Sequence, residues 1–371
     1  MNKKVWIWQS EEYPDFVYDY KALVPLIEKV SKKIGELNVL NKIIESDKLE
    51  KITFNSLEEE IISSSAIEGE FLDRESVKSS IVNRLVPNSS DIHLDKKASN
   101  YVDILLDANL NNTDLSVERL LRWHYKLFEG YNARLFKIDV GNFRSNFVQV
   151  VSGVVGKEKV FYEAPPPDRL SLEIEQFINW FNKKEPTLLK ATIAHLWFVI
   201  IHPFDDGNGR IARAVTEIAL SQMSEEKSLK LYSVSKVINS NKKAYYQALE
   251  ATTGYINKDN LLDITIWYEY FLNTIYSAIN ESIQTIDSVV YKANFWDILK
   301  DYQLNSRQIL AINILLDKQI NHISTKNYAK ITKASTATAS RDIKKLLDFS
   351  ILKKVEGTKG RNIKYVINSQ K

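Results

Sequence analysis

Residues 188–213 read LLKATIAHLWFVII and then HPFDDGNGRIAR, and this stretch decides the fold. Leu188 to Ile201 is apolar almost all round. A helix carries such a surface only when it is buried on every side, so this one is expected at the centre of a mainly helical protein. Pro203 biases His202 away from helical backbone and stops the helix there, which leaves the imidazole at the rim of a loop. Gly207-Asn208-Gly209 then opens the next helix, RIARAVTEIALSQM. Glycines at a helix N-terminus let backbone N–H groups approach an anion closely, and the helix end adds partial positive charge. Arg210 and Arg213 are three residues apart and project from the same side of that helix. Two guanidiniums beside an anion nest suit a polyphosphate, since each binds phosphate oxygens bidentately. Asp206, an acid amid this positive charge, fits a Mg²⁺ ion that takes most of its ligands from phosphates and water. His202, with an ordinary pKa of about 6.5, fits a general base for a hydroxyl nucleophile. The constellation describes a nucleotide-dependent transfer site.

The rest of the chain agrees with a helical reading. Its 371 residues and 42.8 kDa suffice for two or three domains, with 44% hydrophobic and 26% charged residues, which excludes a disordered or membrane-embedded chain. Gly at 11 and Pro at 8 leave few tight turns, and the absence of cysteine excludes disulfides, thiolate metal sites and thiol catalysis. No apolar run is long enough for a signal peptide or a bilayer span, so a soluble, cytoplasmic protein is expected, with no membrane partner. Residues 321–371 hold 12 Lys+Arg against 3 Asp+Glu, or +9, on a body that is −6 given the overall +3. A basic end of this kind suits an appended module with an anionic partner, or a lysine-rich solvated face.

Outward from the central stretch, Leu23, Ile27, Val30, Ile34 and Leu37 mark a helix from Tyr20. Asn55 and Ser56 followed by Glu58–Glu60 announce another, which stops at Gly69. Residues 84–96 read as a loop, and helices are expected over about 97–110 and 115–129. NFVQVVSG and KVFY, with Gly153 and Gly156 between them, form a β-hairpin within 146–163 before the stop at Pro165–Pro167. The hairpin is either a surface ribbon or an edge open to another extended segment. Residues 168–182 make an amphipathic helix with Leu172, Ile174, Phe177, Ile178 and Phe181 apolar, and helical patterns continue to about residue 300, with loops near 224–230 and 255–260. After residue 305 three short helices precede a hairpin turned between Gly357 and Gly360, the order of a winged helix-turn-helix. Its second helix is a candidate groove reader, with Lys344, Lys345, Lys353, Lys354, Lys359 and Arg361 facing phosphates. Such modules also bind proteins or dimerise.

His202 to Arg213 resembles the Fic-domain signature, His-x-Phe-x-(Asp/Glu)-Gly-Asn-Gly-Arg-x-x-Arg, at every position. GNFRSNFVQVVSG at 141–153, the prolines 165–167, AHLWFVI at 194–200 and the pair Tyr245-Tyr246 are also similar to that family, over roughly residues 55–275. The resemblance implies transfer of AMP from ATP to a Ser, Thr or Tyr hydroxyl of a protein. His202 would then deprotonate the hydroxyl and Asp206 would hold Mg²⁺. Gly207, Asn208, Gly209 and Arg210 would cradle the phosphates, and Arg213 would meet the γ-phosphate. The hairpin would be the flap that docks the target, through Val150, Val151, Ser152 and Gly153. Tyr245 and Tyr246 would lie by the adenine or simply pack. Thr253 stands where some relatives have asparagine.

Ser64 and Glu68, in SSAIEG, share a helix face, and Glu68 in the last turn opposes the macrodipole. Such a carboxylate is a solvated helix end or seeks a cation. The motif resembles the inhibitory signature (Ser/Thr)-x-x-x-Glu-(Gly/Asn) of the same family, which implies that Glu68 takes Arg213 away from the γ-phosphate. His195 and His124 are read as packed histidines, and His93 and His322 as surface residues. The expected fold is mainly α: an N-terminal helical region (1–96) with an inhibitory helix at about 55–69, a Fic helical core with one hairpin flap (97–280) and a winged helix (300–371). The expected function is an autoinhibited protein adenylyltransferase. A nucleotide-sensing DNA-binding regulator and an enzyme that removes AMP through the same residues are the alternatives. Partners left open are an unnamed target protein, the chain itself as target, a second copy in a homodimer, and DNA or protein at the basic end.

Overall fold

A computed structural model describes residues 5–86, 95–111, 113–130, 138–152, 159–223, 229–255, 262–317, 320–360 and 363–368. Gly153, Gly156, His93 and Arg361 lie outside the described residues. The chain divides into two compact units, Met1–Ser282 and Ile283–Lys371. No described helix is long and apolar enough to cross a membrane.

The first unit is built around the apolar segment. Helix α7 (Leu188–Ile201) starts at Thr187, whose side chain accepts from Lys190 N at 3.1 Å, and buries nearly every residue it has. It packs against α8 (Asn208–Ser221) and α6 (Leu170–Lys183). The far side of α8 carries α4 (Lys96–Leu110), α5 (Val117–Phe128) and α2 (Ser46–Ile67). Around these lie α1 (Tyr20–Ile43), α3 (Arg74–Leu85), α9 (Val234–Ser240) and α10 (Lys242–Thr253). The long α11 (Thr265–Leu299) contains the boundary between the units.

Strands in this unit are few and short. β1 (Val5–Trp6) pairs antiparallel with β4 (Gly254–Tyr255). The expected hairpin is present as β2 (Gln149–Ser152) against β3 (Lys159–Glu163), with a register shift between Val150 and Val151. β3 is tied inward, because the Tyr162 hydroxyl donates to Ile200 O at 2.6 Å and Trp8 Nε1 donates to Glu163 O at 2.7 Å. β2 faces away, and among the described residues β3 is its one strand partner.

Three expectations are corrected. The helix that carries Ser64 begins at Ser46, well before Asn55. Burial of Ile52, Leu57 and Ile61 on one face carries the helix through the polar Asn55-Ser56 signal. Helix α3 was not expected, although Asp73 caps it by accepting from Ser76 N at 2.8 Å and Val77 and Ile81 bury one face. In α6 the buried face is Leu170, Glu173, Ile174, Phe177 and Phe181, and Leu172 is exposed. Glu173 takes the core position that hydropathy gave to Leu172, and Arg169 pairs with it at 2.7 Å.

The second unit has α12 (Ser306–Leu316), α13 (Thr325–Thr332), α14 (Thr336–Asp348) and an antiparallel pair, β5 (Leu352–Lys354) and β6 (Tyr365–Ile367). Its own core gathers Phe295, Ile312, Tyr328, Ile343 and Ile351. Buried Asp342 fastens these helices by accepting from Arg307 Nε at 2.8 Å, Asn305 Nδ2 at 2.9 Å and the Tyr328 hydroxyl at 3.1 Å.

Two core histidines make the first unit sensitive to acid. His195 bonds Thr216 Oγ1 at 2.9 Å and the Tyr245 hydroxyl at 3.0 Å, and His124 stacks on Phe204 with ring centroids 4.1 Å apart. Burial holds His124 down to about 4 and His195 to about 3, from 6.5. The unfolded chain therefore takes up protons that the folded one refuses. Stability is full above about pH 6.5 and falls as the pH drops toward 4, by on the order of 2 kcal/mol per histidine at about pH 5. Urea unfolding at about pH 7.5 and about pH 5 should show a clearly lower midpoint in acid.

Candidate active site

His202 is the C-cap of α7 and adopts left-handed backbone, φ 49° and ψ 58°, which turns the chain out of the helix axis. Its Nδ1 lies 3.2 Å from Val199 O. A carbonyl only accepts, so Nδ1 carries the proton and Nε2 keeps a lone pair. Burial lowers the His202 pKa to about 4, against the raising effect of Val199 O, so the imidazole is neutral at physiological pH.

Arg144 holds this turn, and nothing in the sequence reading singled it out. Its Nε donates to His202 O at 2.7 Å, Nη1 to Asn146 O at 2.8 Å and Nη2 to Pro165 O at 2.6 Å, while its backbone N donates to Pro203 O at 2.9 Å. One guanidinium thus ties the histidine, the start of the loop and the base of the hairpin together.

The loop closes on α8 through Asn208. Asn208 Oδ1 accepts from Phe204 N at 2.9 Å and Nδ2 donates to Phe204 O at 2.8 Å, so the amide is spent on the loop's own backbone. Gly207 has φ +80°, and a Cβ there would lie 2.7 Å from Leu127 Cδ2. Only glycine fits that turn. The first amides of α8 have no intrahelical acceptor by position, which leaves them for an anion.

A cavity of about 500 Å³ opens over these elements. His202, Asp205, Asp206, Gly207, Asn208 and Gly209 form its floor, and Val150, Val151, Phe161 and Tyr162 of the hairpin form one wall. Tyr245, Tyr246, Leu249, Glu250 and Thr253 of α10, together with Glu68, also line it. Ser152 and Ser64 are outside this lining. Tyr245 is a packed residue whose hydroxyl is taken by His195, whereas Tyr246 is largely exposed. Asp206 is exposed at the rim, with Oδ1 accepting from Gly207 N at 2.5 Å.

The arginines do not line the cavity. Arg213 Nε donates to Ser64 Oγ at 2.7 Å, and its Nη2 donates to Ser64 O at 2.9 Å and to Glu68 Oε1 at 2.8 Å. Burial pulls the Arg213 pKa down, but the Glu68 carboxylate outweighs it and holds the group above its ordinary value. Ser64 Oγ also meets the Tyr101 hydroxyl at 2.5 Å. Arg210 is engaged elsewhere, donating from Nη1 to Glu70 Oε2 at 2.5 Å. Lys242 Nζ donates to Ala66 O, at the end of α2. Glu68 Oε1 lies directly on Gly209, where an added Cβ would stand 2.1 Å from it. Glu70, Tyr101 and Lys242, like Arg144, escaped the sequence reading because each acts through a partner remote in sequence.

Residues 114–220 match the family described as Fic/DOC, and residues 6–86 match a domain of unknown function, DUF4172. The chain carries a Fic/DOC domain. It is 26% identical over 216 residues to protein adenylyltransferase Fic of Nematostella vectensis, covering 52% of this chain and 47% of that one. A probable protein adenylyltransferase of Aquifex aeolicus is 30% identical over 106 residues, 28% of this chain and 29% of that protein. The chain thus spans about half the length, or less, of these curated relatives. In fold it is similar to a Fic family protein of Desulfovibrio desulfuricans G20, with a TM-score of 0.57 at 20% identity over 96% of this chain and 99% of that one. Fic-1 of C. elegans gives 0.52 at 17% identity, over 72% and 74%. These likenesses show a Fic fold.

Within the Fic fold the histidine turn is held by Arg144, a residue outside the motif. Lysine cannot satisfy the same set of buried carbonyls. Arg144→Lys should destabilise the protein by about 3 kcal/mol, which urea unfolding near neutral pH will measure.

Proposed function

We propose that the protein transfers AMP from ATP to a hydroxyl of a protein and that Glu68 restrains the transfer. The observation that carries this reading is the position of Glu68. Glu68 lines the cavity, and its carboxylate lies on Gly209 and occupies Arg213, all at once.

In this reading the triphosphate lies along the Gly207–Gly209 turn, where the N-terminus of α8 favours negative charge. The hydroxyl of a target comes in beside the hairpin, whose β2 edge takes an extended segment by strand addition. His202 Nε2 accepts the hydroxyl proton as the oxygen forms its bond to the α-phosphorus. The bond from that phosphorus to the bridging oxygen breaks and pyrophosphate leaves. The tautomer set by Val199 O suits His202 to this task, and Arg144 keeps the ring aimed at the cavity.

Asp206 fits a Mg²⁺ ion. It is an exposed carboxylate among the residues that line the cavity, and an ion held mainly by phosphate oxygens and water needs only one or two such ligands. When bound, the ion would neutralise phosphate charge at that carboxylate.

Glu68 acts through Arg213. Paired with the acid and with Ser64, the guanidinium is turned away from the cavity and from a γ-phosphate. Intact-protein mass after incubation with Mg-ATP tests the reading. Glu68→Gly should gain AMP at least tenfold faster than wild type. Adding His202→Ala should suppress the gain by about 10²–10⁴-fold. A Glu68→Gly protein no faster than wild type would remove the brake, and an adduct that persists without His202 would remove the base.

The second unit supports a separate activity, nucleic-acid binding. Arg341, Lys344, Lys353, Lys354 and Lys359 are exposed, while Asp342, next to Arg341, is buried and paired with Arg307. Duplex DNA should shift the protein in gels with an affinity that falls steeply with salt, and Arg341→Ala with Lys344→Ala should weaken it. Binding indifferent to salt counts against this surface.

A further inference from the structure

Among the described residues of the first unit four arginines are buried: Arg119, Arg144, Arg210 and Arg213. In two of them every guanidinium nitrogen is bonded. Arg119 donates from Nε and Nη2 to Asp107 and from Nη1 to Thr113 O, and Arg144 spends Nε, Nη1 and Nη2 on carbonyls. The two motif arginines are different. Arg213 Nη1 and Arg210 Nε are buried with no partner among the described residues. A structural arginine is saturated, because an unpaired buried donor is costly. Arg210 and Arg213 are each short of an acceptor, as groups are that exchange one partner for another.

The acid that holds Arg210 is part of the turn that holds Arg213. Past Ile67 the chain reverses: Glu68 N and Glu70 N both donate to Ser65 O, at 3.1 and 3.0 Å, and Gly69 takes φ +81°. That left-handed turn brings Glu68 and Glu70 to the same helix, α8, one turn apart. Glu68 meets Arg213, and Glu70 meets Arg210 at 2.5 Å with Lys97 Nζ 3.1 Å from its other oxygen. Phe128 lies under the Arg210 guanidinium at 5.3 Å and keeps water from it.

We infer that Glu70 is a second clamp of the same brake, holding Arg210 as Glu68 holds Arg213, so that the segment Glu68-Gly69-Glu70 withholds both arginines from the phosphates of a nucleotide. The inference rests on the nucleotide-binding reading above. It also makes Glu68→Gly a half-released state, in which Arg210 is still engaged. Full phosphate binding requires Arg210 to exchange Glu70 for the ligand.

Calorimetric titration of Mg-ATP into the full chain tests this, comparing Glu68→Gly with Glu68→Gly/Glu70→Gln and Glu68→Gly/Glu70→Ala. Glutamine keeps a hydrogen bond to Arg210 without the charge, and alanine removes both. Both double variants should bind about tenfold tighter than Glu68→Gly, and adding Arg210→Gln to either should erase the gain. The clamp is overturned if neither binds tighter, if the gain survives loss of Arg210, or if alanine weakens binding where glutamine does not. A double variant too unstable to titrate marks the pair as structural and also overturns it. If Glu68→Gly itself binds no ATP, the reading of the site fails and the clamp with it. If Glu68→Gly binds but gains nothing at Glu70, only the clamp is lost.

Discussion

Arg213 of α8 reaches the last turn of α2 and meets three acceptors there: Ser64 Oγ, Ser64 O and Glu68 Oε1. A buried guanidinium is tolerable only with such a set, and a helix C-terminus supplies it, since its last carbonyls lack partners and carry partial negative charge. The same end of α2 takes a second cation, Lys242, on Ala66 O. The helix is therefore fastened to the core by its own unsatisfied end. Farther up α2, Glu60 is buried and accepts from Ser233 Oγ at 2.7 Å and Ser235 N at 3.0 Å, at the start of α9. Position and angle of the helix are both set, so Glu68 reaches the cavity from a rigid support.

The opposite side of the cavity is fixed by a different device. Arg144 is saturated by carbonyls and holds His202 in a left-handed conformation that a non-glycine residue adopts only under constraint. Tyr162 links the hairpin to α7 beneath it. His202, the loop after it and the hairpin are thus joined by direct hydrogen bonds. Arg210 Nε and Arg213 Nη1, two of the buried donors without a partner among the described residues, are on the side of Glu68 and Glu70.

The central helix and the motif after it were legible in the sequence because local rules suffice for them. An apolar face all round means burial, Pro203 ends a helix, and Gly207 marks a backbone that needs positive φ. The pairing of Glu68 with Arg213 came only with the family resemblance, since 145 positions separate the two residues and no local rule joins them. Arg144, Tyr101 and Glu70 stayed hidden for the same reason, each being an ordinary polar residue until the fold supplies its partner. The start of α2 was misplaced because Asn55-Ser56 imitates a cap, while the burial of Ile52 that overrides it is a tertiary fact. Arg210 illustrates the reverse limit. Its place in the motif suggested a phosphate ligand, but in this structure it is spent on an acid.

What the brake competes for can be narrowed to one spot. A Cβ added to Gly209 would stand 2.1 Å from Glu68 Oε1 and 3.2 Å from Arg213 Nη1, the donor without a partner. The space above Gly209 is thus where an anion would find backbone amides of α8 and a free guanidinium nitrogen together, and the carboxylate already fills it. An oxygen of a triphosphate and Glu68 Oε1 cannot share that space, on steric grounds and because both are negative. Ser64 would still hold Arg213 through Nε and Nη2 after Glu68 left, since neither contact involves the carboxylate. On the proposed reading, releasing the brake therefore needs no large motion of α2. Glu68 is the partly exposed partner of the pair, with 30% of its side chain open against 3% for Arg213, so on that reading it is the acid that leaves.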